Sequence, residues 1–198
     1  MYTPKDYKHL IGIEGLSSGL LSNHFSLYEG YVRNTNKLFE LTDELHDAGE
    51  TNSPKFAELK RRLGWEWNGM RLHEYYFENL TKDFKEPDKN SSLYKKIIAG
   101  YDDLNYWLED FRAAASMRGI GWTILYYDRQ DDCLINSWIN EHDTGHPAGC
   151  APIFVLDCFE HAFALDYGIK KSDYIDASFK IIDWPAIEKR FEQAISLS

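Results

Sequence analysis

Apolar residues recur at three- and four-residue steps along most of the first 80 positions, in two runs split by a short breaker. Leu20, His24, Leu27, Tyr28, Tyr31, Leu38 and Leu41 mark one face of a first long helix, and Ser17 and Ser18 offer N-caps. Gly49 and the Thr51-Asn52-Ser53-Pro54 cluster interrupt it, with Ser53 as N-cap and Pro54 in the first turn of a second helix. That helix carries Phe56, Leu59, Leu63, Met70, His73, Phe77 and Leu80 on one stripe. Two long helices with a short connection predict an antiparallel helical hairpin.

The polar stretch Lys82 to Ser92 reads as a linker, which divides the chain into an N-terminal hairpin domain over 1–86 and a C-terminal α/β domain over 87–198. A third helical region is expected from Ser92 to Met117, with Leu93, Ile97, Tyr101, Leu104, Leu108 and Phe111 in register, ended by Gly119 and Gly121. The period then changes. Trp122 to Tyr127, a turn at Asp128 to Asp132, and Cys133 to Ile139 predict a β-hairpin, and Pro152 to Leu156 a further short strand before three helical pieces. The class is α+β.

With 198 residues, 43% of them hydrophobic, including 6 Trp, 13 Tyr and 11 Phe, the chain has material for one substantial core. Its net charge of −10, with no basic block, argues against nucleic acid and anionic membranes as partners, since phosphate binding needs clustered Lys and Arg. No segment approaches the ~20 apolar residues of a membrane span, and the first residues lack the apolar core of a secretory signal. Cys133, Cys150 and Cys158 form no CxxC pair and read as free thiols, so the cytoplasm is the expected compartment.

Three of the seven histidines stand out. His24 shares its stripe with Tyr28 and Tyr31, His73 lies between Met70 and Phe77, and His161 follows Asp157 by four residues, a spacing that would place both side chains on one helical turn. Three imidazoles and one carboxylate make a nitrogen-rich set with one hard oxygen, suited to iron or manganese and unlike a thiolate zinc site.

The segment Asp157-Cys-Phe-Glu-His-Ala-Phe163, followed by Leu165-Asp-Tyr and Asp173-Tyr, closely resembles the DxWEHAY signature of the iron/manganese superoxide dismutases. Tyr31-Val-Arg-Asn-Thr-Asn36, the His73 helix, Gly119-Ile-Gly-Trp122 and Asp183-Trp184 resemble further family segments in the same order. The resemblance implies a helical hairpin followed by an α/β layer with a three-stranded antiparallel sheet. It implies one Mn or Fe ion per subunit, held by His24, His73, Asp157 and His161. The metal would cycle between +3 and +2 while superoxide becomes O2 and hydrogen peroxide.

Tyr31 resembles the family's gateway tyrosine, and Trp122 and Tyr76 resemble aromatic members of the pocket wall. Glu160 resembles the glutamate that reaches the ligand histidine of a second subunit, so a homodimer, or a tetramer built from it, is expected. Lys171 matches a basic position that would draw in the anionic substrate; Arg33 and Lys37 are weaker candidates.

The departures are specific. His24 precedes Tyr31 by seven residues where the commoner spacing is eight, the signature Trp is Phe159, and the second aromatic after the signature Ala is replaced by Ala164. Seven residues are about two regular helical turns, so His24 and Tyr31 share a face without a bulge. Gly69 stands four before His73, where some members carry the Gln that holds the site's solvent. His142, in Asn140-Glu-His-Asp-Thr-Gly-His146, is the preferred replacement, with Glu141 and His146 as alternatives. Manganese and iron both stay open, and a metal-free or altered-chemistry member of the same fold serving as a structural or assembly subunit is the rival reading.

Overall fold

The computed structural model describes residues 1–196. Helix α1 (Ser18–Asp47) opens with the Ser17 hydroxyl accepting from the Leu20 N–H, and α2 (Pro54–Glu78) with the Ser53 hydroxyl accepting from Phe56, with Pro54 at the first helical position. Both caps satisfy backbone donors that the first turn leaves open. Their buried stripes face each other as an antiparallel pair. Leu20, His24, Tyr28, Tyr31 and Leu38 are buried on α1, and Met70, His73, Tyr76 and Phe77 on α2. Leu27, Leu41, Phe56, Leu59 and Leu63, on the same stripes, are only half-buried.

The expected single helix from Ser92 to Met117 is two helices, α3 (Ser92–Tyr101) and α4 (Leu104–Ala115). Asp102 takes a left-handed φ of 64°, and the Asp103 carboxylate caps α4 by accepting from the Asn105 N–H. The apolar register continues across this break, and so the sequence pattern conceals it.

Strands β1 (Gly121–Asp128), β2 (Cys133–Asn140) and β3 (Ala151–Asp157) form an antiparallel sheet in the order β2-β1-β3. Central β1 is buried along most of its length and pairs Trp122 with Ile139 on one side and Asp157 on the other. A 3-10 turn (Glu160–Ala162) and helices α5 (Ala164–Tyr167), α6 (Lys171–Ser178) and α7 (Trp184–Ser196) follow. Trp107, Phe111, Phe154, Phe179 and Trp184 pack as an aromatic cluster between α4, the sheet and the last helices.

Polar ties lock α2 to the sheet. Asn79, just past α2, donates to the Val155 carbonyl at 2.7 Å, and Arg190 of α7 donates to Asn79 Oδ1 at 2.6 Å and to the Ile153 carbonyl at 2.7 Å. These bonds occupy carbonyls of edge strand β3 and hold the C-terminal part of α2 beside it.

Candidate metal centre

Four donor groups from four elements converge between the hairpin and the sheet. His24 Nε2 lies 3.1 Å from Asp157 Oδ2, His161 Nε2 also 3.1 Å, and His73 Nε2 3.6 Å. All four donor atoms lie within 4.8 Å of one another. A cation ~2.1 Å from each donor would set donor atoms ~3.0 Å apart at a right angle and ~3.6 Å apart at 120°. The three imidazole-to-carboxylate spacings match those values.

Asp157 and His161 do not share a helical turn as their spacing suggests. Asp157 is the last residue of β3, fixed by its pairing with Trp122, and His161 sits on the 3-10 turn that follows. The Phe159 N–H donates to Asp157 Oδ1 at 2.8 Å, which turns the other oxygen toward the imidazoles.

The hydrogen bonds assign the lone pairs. His73 Nδ1 lies 2.6 Å from the Gly69 carbonyl, which can only accept, so Nδ1 carries the proton. His73 Nε2 is therefore a bare lone pair, fully buried, with no hydrogen-bond partner. Burial pushes both His73 and His24 below the ordinary imidazole value, keeping them neutral. Burial alone would raise Asp157, but the neighbouring His161 and His24 outweigh it and hold the carboxyl well below the usual range. Three imidazoles around an ionised carboxylate, with the His73 Nε2 lone pair left without a partner, fit a divalent or trivalent first-row cation.

A second set of side chains surrounds this cluster. The Trp122 indole N–H donates to His142 Nδ1 at 3.0 Å, so the imidazole proton is on Nε2, which lies 2.8 Å from the Tyr31 hydroxyl. Tyr31 accepts that bond and keeps its own O–H available; its ring stacks on His73 at 5.1 Å. Burial lowers His142 to about 4 and raises Tyr31, so near neutral pH the pair is uncharged. Phe159 stacks on both His142 (4.6 Å) and His161 (5.1 Å). Tyr76 lies 5.3 Å from His24, and its hydroxyl is 3.2 Å from that of Tyr174, whose O–H donates to the Asp157 carbonyl at 2.8 Å.

Of the three candidates on the loop after β2, only His142 meets Tyr31. Glu141 accepts from the Trp65 indole N–H at 2.9 Å, and His146 Nε2 donates to the His142 carbonyl at 2.8 Å while its Nδ1 accepts from Tyr126. Glu160 is exposed and, among the described residues, makes no side-chain hydrogen bond or ion pair; the neighbouring His161 side chain is 26% exposed. Lys171 donates to the Met117 carbonyl and lies over the Trp138 ring. Arg33 and Lys37 pair with glutamates of α1 itself. Trp65 and Tyr174 were not singled out from the sequence as site residues. Trp65, Gly69 and His73 recur every four residues on α2, and that spacing was the available signal for Trp65.

A sequence model described as iron/manganese superoxide dismutases, C-terminal domain, matches residues 89–190. The chain is 34% identical to an iron superoxide dismutase of Aquifex pyrophilus, covering 97% of this chain and 92% of that one. It is 31% identical to a manganese superoxide dismutase of Haloferax volcanii (88% and 86%) and 29% identical to an iron superoxide dismutase of Saccharolobus solfataricus (91% and 88%). The chain belongs to the iron/manganese superoxide dismutase family. Relatives named for each metal appear at similar identity.

Proposed function

We propose that this chain is a superoxide dismutase whose metal is held by His24, His73, Asp157 and His161. The observation that carries the reading is the orphaned Nε2 of His73, buried beside two more imidazole nitrogens and one carboxylate oxygen at cation spacing. Bound iron or manganese, one ion per subunit, supplies a +3/+2 couple that accepts an electron from one superoxide and returns it to another.

The protein's own part is to exclude water and deliver protons. Trp122, Phe77, Tyr76 and Phe159 wall the site with aromatic surface, each within 5.3 Å of a donor imidazole ring. Peroxide leaves with two protons, so a proton source is needed. Tyr31 holds one at its hydroxyl, and the bond from His142 Nε2–H, itself oriented by Trp122, stabilises the oxygen as that proton departs.

The same reading makes the active form a homodimer. Glu160 lines a groove of about 640 Å³ together with Met117 and Ile169, which are 48% and 99% exposed, and Leu165, next to the groove residue Ala164, is 62% exposed. A two-fold arrangement would let each Glu160 reach the other subunit's His161. Lys171, on this side, contributes positive charge toward an anionic substrate. The hairpin over 1–86 and the α/β part over 87–198 then contribute two donors each. Three free cysteines and the absence, among the described residues, of a helix long and apolar enough to cross a membrane support a cytoplasmic placement. Dismutation by metal-loaded protein tests the reading.

A further inference from the structure

The mouth of the site carries a bond that neither the donor set nor the proton pair requires. Trp65 stands on α2 two turns before His73, and its indole N–H donates across to Glu141 Oε2 at 2.9 Å. Its ring lies 5.6 Å from Tyr31 and meets His142 edge-on at 4.5 Å. The Arg62 guanidinium covers it at 3.7 Å and is itself held by Glu66 at 2.9 and 3.0 Å. Glu141 has a left-handed φ of 52°, with its N–H bonded to the Ile120 carbonyl. That backbone turn sends Glu141 outward to α2 and leaves the next side chain, His142, pointing inward.

We infer that Trp65 is a positioning residue for the Tyr31–His142 pair, acting through its hydrogen bond to Glu141. The bond ties the loop after β2 to the helix that carries His73. It thereby fixes the distance between His142 on the loop and Tyr31, whose ring rests on Trp65. Three further bonds confine the same loop, the mutual Asn140–Thr144 backbone pair and His146 on the His142 carbonyl. Among the described residues, only the Trp65–Glu141 hydrogen bond crosses from the loop to α2 by side chains. A hydrogen bond fixes a donor–acceptor distance and angle that ring packing leaves free, so it suits the task of holding the loop, and with it His142, in place. This inference rests on Tyr31 and His142 being the proton-delivering pair.

The test separates the bond from packing. Glu141→Ala removes the acceptor and leaves every ring in place; Trp65→Phe keeps a ring and removes the donor; Glu141→Gln keeps an acceptor oxygen. Side-chain 15N correlation spectra of the metal-free protein report which His142 nitrogen carries the proton, independently of activity. The native protein is expected to show the Nε2–H form alone. Glu141→Ala and Trp65→Phe are expected to show exchange between forms and a three- to tenfold lower kcat with manganese bound, KM changing less than twofold, while Glu141→Gln restores both. Native spectra and native kcat in Glu141→Ala would overturn the inference, whatever Trp65→Phe does. If the unaltered protein itself binds metal and has no dismutase activity, the functional reading fails instead, and the spectra still decide the role of Trp65.

Discussion

His142 and Tyr31, brought together from the loop after β2 and from α1, meet at 2.8 Å with the proton on His142 Nε2. The indole of Trp122 decides that placement by occupying Nδ1. Replacement by alanine would leave the buried Trp122 N–H without an acceptor, costing about 1–3 kcal/mol, and would remove a group expected to contribute on the order of 100-fold in rate. His142→Gln should keep most of both, since its amide oxygen accepts from Trp122 and its nitrogen donates to Tyr31. Thermal unfolding and kcat of the two variants check this; equal loss in both would show that the hydrogen-bond pattern is not what matters.

Gly69 is set by its neighbour. A Cβ there would stand 2.6 and 2.8 Å from carbons of the Tyr31 ring. Alanine gains about 1 kcal/mol of helix propensity, whereas forcing an atom into a packed site costs about 1–3 kcal/mol, so the clash should win. Gly69→Ala is predicted to lower the melting temperature and to reduce kcat as Tyr31 shifts off His73. A more stable variant with full activity would show that the ring moves freely.

Acid should weaken the metal-free fold partly through His142. Burial lowers its folded-state value to about 4, against ~6.5 in the unfolded chain. Between those values the unfolded chain binds a proton that the folded one refuses, so stability falls as pH drops from ~6.5 toward 4 and is fully present above that window. His24 and His73 are lowered too and add to the same trend. Unfolding free energies of metal-free native and His142→Gln protein should therefore differ in slope across this range. Parallel curves would rule His142 out as a contributor.

The exposed face around Ile169 should be covered by a second copy. Sedimentation is expected to give a dimer or a multiple of it for the native chain, and Ile169→Glu with Leu165→Glu to shift it toward monomer. A native monomer at micromolar concentration would remove Glu160 from the account of the site.

The hairpin was legible because periodicity and caps agree: Ser17, Ser53 and Pro54 act where their chemistry places them. The break at Asp102 was not, because Tyr101, Leu104 and Leu108 continue the apolar register across it, and only the backbone turn reveals it. The four side chains that converge could be named from residue types and the family signature, but the local frame of Asp157 could not. A four-residue spacing fits a helix, and it took the pairing of Asp157 with Trp122, between distant segments, to make it a strand end. The loop after β2 offered three candidate side chains, and the left-handed backbone of Glu141 decides which one points inward. Trp65 escaped notice because its importance lies in a partner 76 residues away.

The central claim is most directly tested by measuring superoxide dismutation after loading the protein separately with manganese and with iron, counting bound metal per subunit. The account predicts close to one ion per subunit and activity that disappears on removal of the metal, with Asp157→Ala or His73→Ala binding little metal. Stoichiometric metal in the native protein without dismutation, or no metal at all, would contradict it.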